Sequence, residues 1–156
     1  MKLAFWKKEQ SSHGSNGRSK PRRESDARHS RKIKILMVDD EVSFTRLTKR
    51  NLEAEGFEVH TENKARQALP AAKVFKPDII LLDVMMPDGD GGEVAAQIAQ
   101  EPDLKDTPVL FLTAAIKSSE IGHGGVGNIG GRFYIAKPVE IDQLVSYIEE
   151  HTACSA

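Results

Sequence analysis

Four short apolar runs of the sequence each lead into polar residues whose chemistry is complementary. These residues are Asp39 and Asp40 after the first run, then Asp83, Thr113 and Lys137 at the ends of later runs. Three carboxylates at one place repel each other, and a hard divalent cation such as Mg2+ relieves the repulsion through oxygen ligands. The lysine adds a positive charge that can pair with Asp83, and the threonine adds a hydroxyl donor. Together they predict a site that transfers a phosphoryl group onto the carboxylate of Asp83.

The elements that would position these residues alternate along the chain. Segments with helical spacing lie between most of the apolar runs of strand length, which occupy residues 33–38, 57–61, 78–84, 109–114 and 132–136. Continuously apolar runs predict strands buried on both faces, as in a parallel sheet. Their order predicts a doubly wound α/β fold with a five-stranded parallel sheet. The carboxyl ends of such strands meet at one edge of the sheet, which would gather the polar residues.

Taken one at a time, these polar residues have ordinary structural explanations. Asp40 alone is an acceptable helix N-cap, a threonine commonly ends a strand, and a Lys-Pro pair alone predicts a turn. Their joint occurrence at strand ends favours a functional site instead. The stretches that carry them resemble the receiver domain of response regulators in two-component signalling: ILMVDDE, IILLDVMMPDGDGGE, VLFLTA and FYIAKPV. The resemblance covers about residues 33–152 and implies the flavodoxin-like receiver fold.

The resemblance implies a phosphorelay role for the domain, with Mg2+ as its cofactor. Asp83 is then the phosphoacceptor, and a histidine kinase or a phosphotransfer protein supplies the phosphoryl group. Asp39 and Asp40 bind the metal, with Asp40 a direct ligand, and Asp83 and the backbone carbonyl of Met85 complete the protein ligands. The phosphorylated surface would control a downstream protein target.

The same resemblance implies a switch around the phosphoacceptor. Thr113 is the switch hydroxyl, and Lys137 is the site lysine, whose peptide bond to Pro138 is cis in the family. Tyr134, three residues before Lys137, is the aromatic whose rotation reports phosphorylation. As a buried strand aromatic, Tyr134 also has a plain structural explanation that is compatible with this role.

The lifetime of a phosphoryl group on Asp83 depends on whether nearby side chains can orient an attacking water. The residues two positions after Asp83 and Thr113 are Met85 and Ala115. Neither side chain has a polar group that could orient a water molecule. We therefore predict a long-lived phosphoryl state.

Charge and composition divide the chain into three parts. Residues 1–32 hold ten basic and three acidic residues, a net charge of +7, and predict a disordered basic tail. Residues 33–152 form the predicted receiver domain and residues 153–156 a short C-terminal tail. Aromatic and basic residues in the first eight positions allow membrane contact, although a solvated leader is favoured. Without a signal peptide or an apolar stretch of about 20 residues, the expected location is the cytoplasm.

A glycine-rich stretch, GHGGVGNIGG, occupies the position between the fourth and fifth predicted strands, where receivers carry their fourth helix. Six of its ten residues, 122–131, are glycines. Each glycine disfavours a helix by about 1 kcal/mol relative to alanine, so we predict a fourth helix shortened to a turn over Ile116–Ile121 or replaced by a loop. The spacing also matches a dinucleotide-binding loop, but the stretch neither directly follows a strand nor opens a helix.

Other functions compete with the phosphoacceptor interpretation. A phosphohydrolase with an aspartyl nucleophile usually needs an acid two residues later, where this chain has Met85, so an enzyme is not expected. A receiver-like interaction module that is never phosphorylated stays open as an alternative. The net charge of −8 over residues 33–156 argues against sequence-specific nucleic-acid binding. Nothing but a few residues follows the last predicted helix, so we expect a stand-alone receiver, with a homodimer left open.

Overall fold

The computed structural model describes residues 31–116 and 126–153, and its elements alternate as the sequence predicts. The helices are α1 (Val42–Ala54), α2 (Ala68–Phe75), α3 (Gly91–Ala99) and α4 (Ile141–Ala153), with a 3-10 helix, Ala65–Gln67, leading into α2. The strands are β1 (Lys34–Val38), β2 (Glu58–Glu62), β3 (Ile79–Asp83), β4 (Met85–Met86), β5 (Gly89–Asp90), β6 (Val109–Thr113), β7 (Val126–Ile129) and β8 (Arg132–Ala136). None of the helices within these residues is long and apolar enough to cross a membrane.

The main sheet has the strand order β2-β1-β3-β6-β8-β7. The first five strands of that order are parallel, which confirms the predicted doubly wound parallel sheet. The chain moves outward from β1 in one direction to β2 and then in the other direction through β3, β6 and β8. The order therefore reverses beside β1, and the carboxyl ends of β1 and β3 form the crevice where such folds bind ligands.

Each face of the sheet carries its own apolar core, because alternate side chains of a strand point to opposite faces. Ile35 and Met37 of β1 pack with α1 and α4, whereas Leu36 and Val38 pack with α2 and α3. All four side chains are completely buried. Burial on both faces explains why the strand sequences are continuously apolar rather than alternating.

The glycine-rich stretch differs from the prediction in two details. Val126–Ile129 is a strand rather than part of a loop, and it pairs antiparallel with β8, so the main sheet has six strands instead of five. Gly130 and Gly131 make the connecting turn with φ values of 61° and 85°, a conformation that favours glycine. Over residues 126–131 helix propensity correctly disfavoured a helix, but Gly130 and Gly131 also suit a tight hairpin. The predicted turn over Ile116–Ile121 lies, beyond Ile116, outside the described residues.

Candidate functional site

The carboxyl edge of the sheet brings together the polar residues that the sequence places at strand ends. Asp39 and Asp40 follow β1, Asp83 ends β3, Thr113 ends β6 and Lys137 follows β8. Each of the three carboxylates offers an oxygen that lies within 4.8 Å of the others. Asp39 and Asp83 are buried, whereas Asp40 is exposed at the mouth of the cluster. The cluster therefore has one open side toward solvent.

Asp39 is the most buried member of the cluster, with no exposed surface. Its Oδ1 accepts a hydrogen bond from the N–H of Glu41 at 2.9 Å, while the side chain of Asn63 donates to its backbone carbonyl at 2.7 Å. The Nζ of Lys137 lies 2.5 Å from Asp39 Oδ2 and forms a buried ion pair with it. With three carboxylates and one lysine, the cluster keeps an excess of negative charge that suits a hard divalent cation, because such ions bind carboxylate oxygens.

Lys137 contacts more than the single carboxylate that the sequence suggested. Its Nζ is closest to Asp39, and lies 3.8 Å from Asp83 Oδ2 and 3.9 Å from Glu41 Oε1. It also lies 4.7 Å from the centre of the Phe44 ring, a distance suited to a cation–π interaction. Glu41 and Phe44 were not predicted as site residues. Glu41 directly follows the Asp pair, but nothing in the local sequence marks Phe44, which reaches the lysine through α1.

Asp83 is almost fully buried, with 7% of its surface exposed. Burial and then the nearby charge of Asp39 raise the pKa of Asp83 from 3.8 to about 6, while Lys137 and the N–H of Met85 act in the opposite direction. The Met85 N–H donates to Asp83 Oδ1 at 3.4 Å. A cation bound among the carboxylates would favour the ionised, nucleophilic form of Asp83.

The chain around Asp83 is held closely by the start of α3. A Cβ atom on Gly91 would overlap the backbone carbonyl oxygen of Asp83, so only glycine allows this approach. The N–H of Gly91 donates to the carbonyl of Val84 at 2.8 Å. Asp90 caps α3 by accepting the N–H of Gly92 at 2.6 Å. The backbone that carries the candidate nucleophile is thus fixed from its C-terminal side.

Thr113 and Lys137 are joined through the backbone. The N–H of Lys137 donates to the carbonyl of Thr113 at 2.9 Å, and the Lys137–Pro138 peptide bond is cis, as the resemblance implies. Thr113 is buried, and its hydroxyl oxygen accepts the N–H of Ala115 at 2.9 Å. Since this bond uses the oxygen as acceptor, the hydroxyl hydrogen can still be donated to a bound anion.

Tyr134 and Met85 are the two remaining residues that the sequence analysis assigned to the site. Tyr134 is half-buried and stacks on Phe111, with ring centres 5.2 Å apart. The side chain of Met85 is 73% exposed, and Ala115 is also exposed. The positions two residues after Asp83 and Thr113 therefore present only apolar side chains at the open side of the site.

This fold and this cluster fit the class of receiver domains. The family model for the response regulator receiver domain matches residues 35–149, and the chain belongs to that family. Among curated proteins, the alkaline phosphatase synthesis transcriptional regulatory protein PhoP of Bacillus subtilis (strain 168) is 42% identical over 105 residues, or 67% of this chain and 42% of PhoP.

Solved structures resemble the chain over most of its length. A putative response regulator from Chloroflexus aurantiacus J-10-fl has a TM-score of 0.67 at 28% identity, covering 79% of this chain and 99% of that one. The chemotaxis protein CheY4 of Vibrio cholerae has a TM-score of 0.65 at 28% identity, covering 77% and 98%. The chain spans half or less of the length of the curated relatives PhoP of B. subtilis and PhoB of Rhizobium meliloti, 42% and 50%.

Proposed function

We propose that Asp83 accepts a phosphoryl group in a Mg2+-dependent reaction and that the altered surface controls a partner protein. The supporting observation is the carboxylate cluster itself, in which three oxygens lie within 4.8 Å and Lys137 lies between Asp39 and Asp83. The donor is a phosphohistidine of a histidine kinase or phosphotransfer protein. A lone pair on an Asp83 carboxylate oxygen forms the new O–P bond as the P–N bond of the donor breaks. The imidazole nitrogen keeps that electron pair.

Asp39, Asp40, Asp83 and the backbone carbonyl of Met85 would hold the metal, and Mg2+ supplies positive charge for the carboxylates and phosphoryl oxygens. Lys137 neutralises part of the charge of Asp39 and Asp83 before the reaction. The product adds negative charge at Asp83, which draws the Lys137 ammonium away from Asp39 and toward the phosphoryl oxygens.

The side chains around the phosphorylated carboxylate determine its lifetime and its effect on the surface. The Thr113 hydroxyl can donate its hydrogen to a phosphoryl oxygen and so distinguish the phosphorylated state. Because Met85 and Ala115 offer no polar side chain to orient water, hydrolysis of the acyl phosphate is slow. Tyr134 would report the change to the partner-binding surface. No step after the transfer requires a further catalytic residue, and the domain acts as a signalling module rather than as an enzyme.

The partner of the phosphorylated domain is proposed to be a protein. Residues 33–156 carry a net charge of −8, which disfavours direct contact of this domain with nucleic-acid phosphates. PhoP of B. subtilis is named a transcriptional regulatory protein, and this chain resembles 42% of it. The similarity therefore supports a regulatory domain and does not extend to a DNA-binding activity.

Incubation with acetyl phosphate and Mg2+, followed by intact-mass measurement, tests the proposal. We expect wild type to gain one phosphoryl group, Asp83→Asn to gain none, and Asp90→Asn, which retains an amide oxygen to cap α3, to behave as wild type. Beryllofluoride should shift the amide resonances of Thr113 and Ala115 in wild type and in Asp90→Asn, but not in Asp83→Asn. A wild type that gains no phosphoryl group and shows no beryllofluoride response would favour the unphosphorylated interaction module.

A further inference from the structure

The loop between β3 and α3 is anchored on a distant part of the chain by Asp88. Oδ1 of Asp88 accepts the N–H of Ala65 at 2.9 Å, and Oδ2 accepts the N–H of Arg66 at 3.1 Å. These N–H groups open the 3-10 helix that leads into α2, and Lys64 before them makes no side-chain cap. Asp88 therefore supplies, from another loop, the cap that this helix lacks locally.

Gly89 makes the close approach of the loop to this helix sterically feasible. A Cβ atom at Gly89 would lie 2.9 Å from the Cβ of Ala65. Ala65 is itself buried with 5% exposure and packs in the core on that face, so it has little room to move. Asp88 and Gly89 thus support the same contact with the 3-10 helix. The carboxylate of Asp88 accepts its N–H groups, and the absence of a side chain at Gly89 leaves room for the close approach.

This contact bears on the phosphoacceptor through a short hairpin. Strands β4 and β5 pair Met85 with Asp90 and Met86 with Gly89. Because Asp88 anchors the chain just before β5, this pairing also fixes β4, the strand that carries Met85. The Met85 N–H reaches Asp83 Oδ1 at 3.4 Å, a long hydrogen bond that a small displacement of the loop would break. The Met85 carbonyl is also the backbone ligand in the proposed metal site.

We propose that Asp88 is a positioning residue for the metal site: by holding the loop on Ala65 and Arg66, it sets the position of the Met85 backbone relative to Asp83. This inference rests on the proposed function. Residues that orient metal ligands from outside the coordination shell typically change affinity by about 10- to 100-fold. Loss of the Asp88 carboxylate is expected to weaken Mg2+ binding by about tenfold, the lower end of that range.

Mg2+ titration followed by calorimetry measures this effect directly and without phosphorylation. We expect Asp88→Ala to raise the Kd for Mg2+ about tenfold and to speed amide exchange at Ala65 and Arg66. Asp88→Asn keeps one acceptor oxygen and should fall between wild type and Asp88→Ala. Gly89→Ala leaves the carboxylate in place but moves the loop, so it should also weaken Mg2+ binding.

Asp78→Ala is the matched control for a purely structural role. The Asp78 carboxylate likewise accepts a remote backbone N–H, that of Lys34 at 2.7 Å, but at the amino edge of the sheet. The Asp78→Ala substitution should lower the melting temperature and leave the Kd for Mg2+ unchanged. The positioning role would be overturned if the Kd for Mg2+ stayed within about twofold of the wild-type value in all three variants, Asp88→Ala, Asp88→Asn and Gly89→Ala. That result would leave the proposed function intact. A wild type that binds no Mg2+ would overturn both.

Discussion

Replacing Asp83 by asparagine should stabilise the metal-free domain, although it removes the candidate nucleophile. Burial and the charge of Asp39 raise the pKa of Asp83 from 3.8 to about 6. The folded protein therefore binds this proton more tightly than the unfolded chain. The contribution of Asp83 to stability is greatest at low pH, falls as the pH rises from about 4 to about 6, and stays low above that range. Asparagine resembles the neutral carboxyl and avoids this loss.

The magnitude follows from the size of the pKa shift. A change from 3.8 to about 6 corresponds to about 3 kcal/mol of lost stability when the carboxyl is ionised. Asp83→Asn should therefore be more stable than wild type by about 3 kcal/mol near pH 7.5 and by about 1 kcal/mol near pH 4.5. Lys137 keeps Asp39 as its partner in the variant, so no buried cation is left unpaired.

Urea unfolding with a chelator present, at both pH values, measures this difference. Taking the variant relative to wild type at each pH cancels the titration of distant carboxyl groups. Asp103→Asn is a suitable control, because that side chain is 81% exposed and should change stability little at either pH. The reasoning would be refuted if Asp83→Asn were less stable than wild type, or if its gain in unfolding free energy were the same at both pH values. Either result would mean that ionisation of the buried Asp83 carboxyl does not destabilise the folded domain.

Three further predictions concern the same edge of the sheet. Phe44→Leu should slow phosphorylation by acetyl phosphate, because Lys137 loses a cation–π contact worth about 0.5–1 kcal/mol or more, while the apolar packing is largely kept. Gly91→Ala should lower the free energy of unfolding by about 1–3 kcal/mol in urea titrations, since its Cβ would overlap the carbonyl oxygen of Asp83. Mg2+ at about 100 times its Kd should stabilise wild type by about 2.7 kcal/mol in thermal melts, and a chelator should reverse this.

The parallel sheet and the cluster could be predicted because their signals are local in the sequence. Strand β3 ends at Asp83 and β6 ends at Thr113, where the apolar run meets its first polar residue. The change from apolar to polar marks the strand end, and the topology then brings the ends together. An apolar run that ends in a polar residue thus places that side chain at the carboxyl edge of the sheet, but it does not determine which other side chains it contacts.

Features that depend on tertiary contact could not be predicted in the same way. The nearest carboxylate to Lys137 is Asp39 rather than Asp83, a difference of 1.3 Å that no sequence pattern encodes. The anchoring of Asp88 to the 3-10 helix before α2 joins segments more than twenty residues apart. Strand β7 did have a local signal, the Gly130-Gly131 pair between short apolar segments, which is typical of a hairpin. Helix propensity alone does not register that signal.

The added strand changes how a phosphorylated site could alter the surface of this domain. Strand β8 pairs with β6 on one side and with β7 on the other, so sliding β8 would break hydrogen bonds on both sides. Across the sheet, Tyr134 stands opposite Phe111 of β6 and Gly127 of β7. The ring of Tyr134 stacks on that of Phe111, with centres 5.2 Å apart. Under the proposed function, the response therefore consists of side-chain movements of Lys137 and Tyr134 rather than of a shift of β8 along its two neighbours.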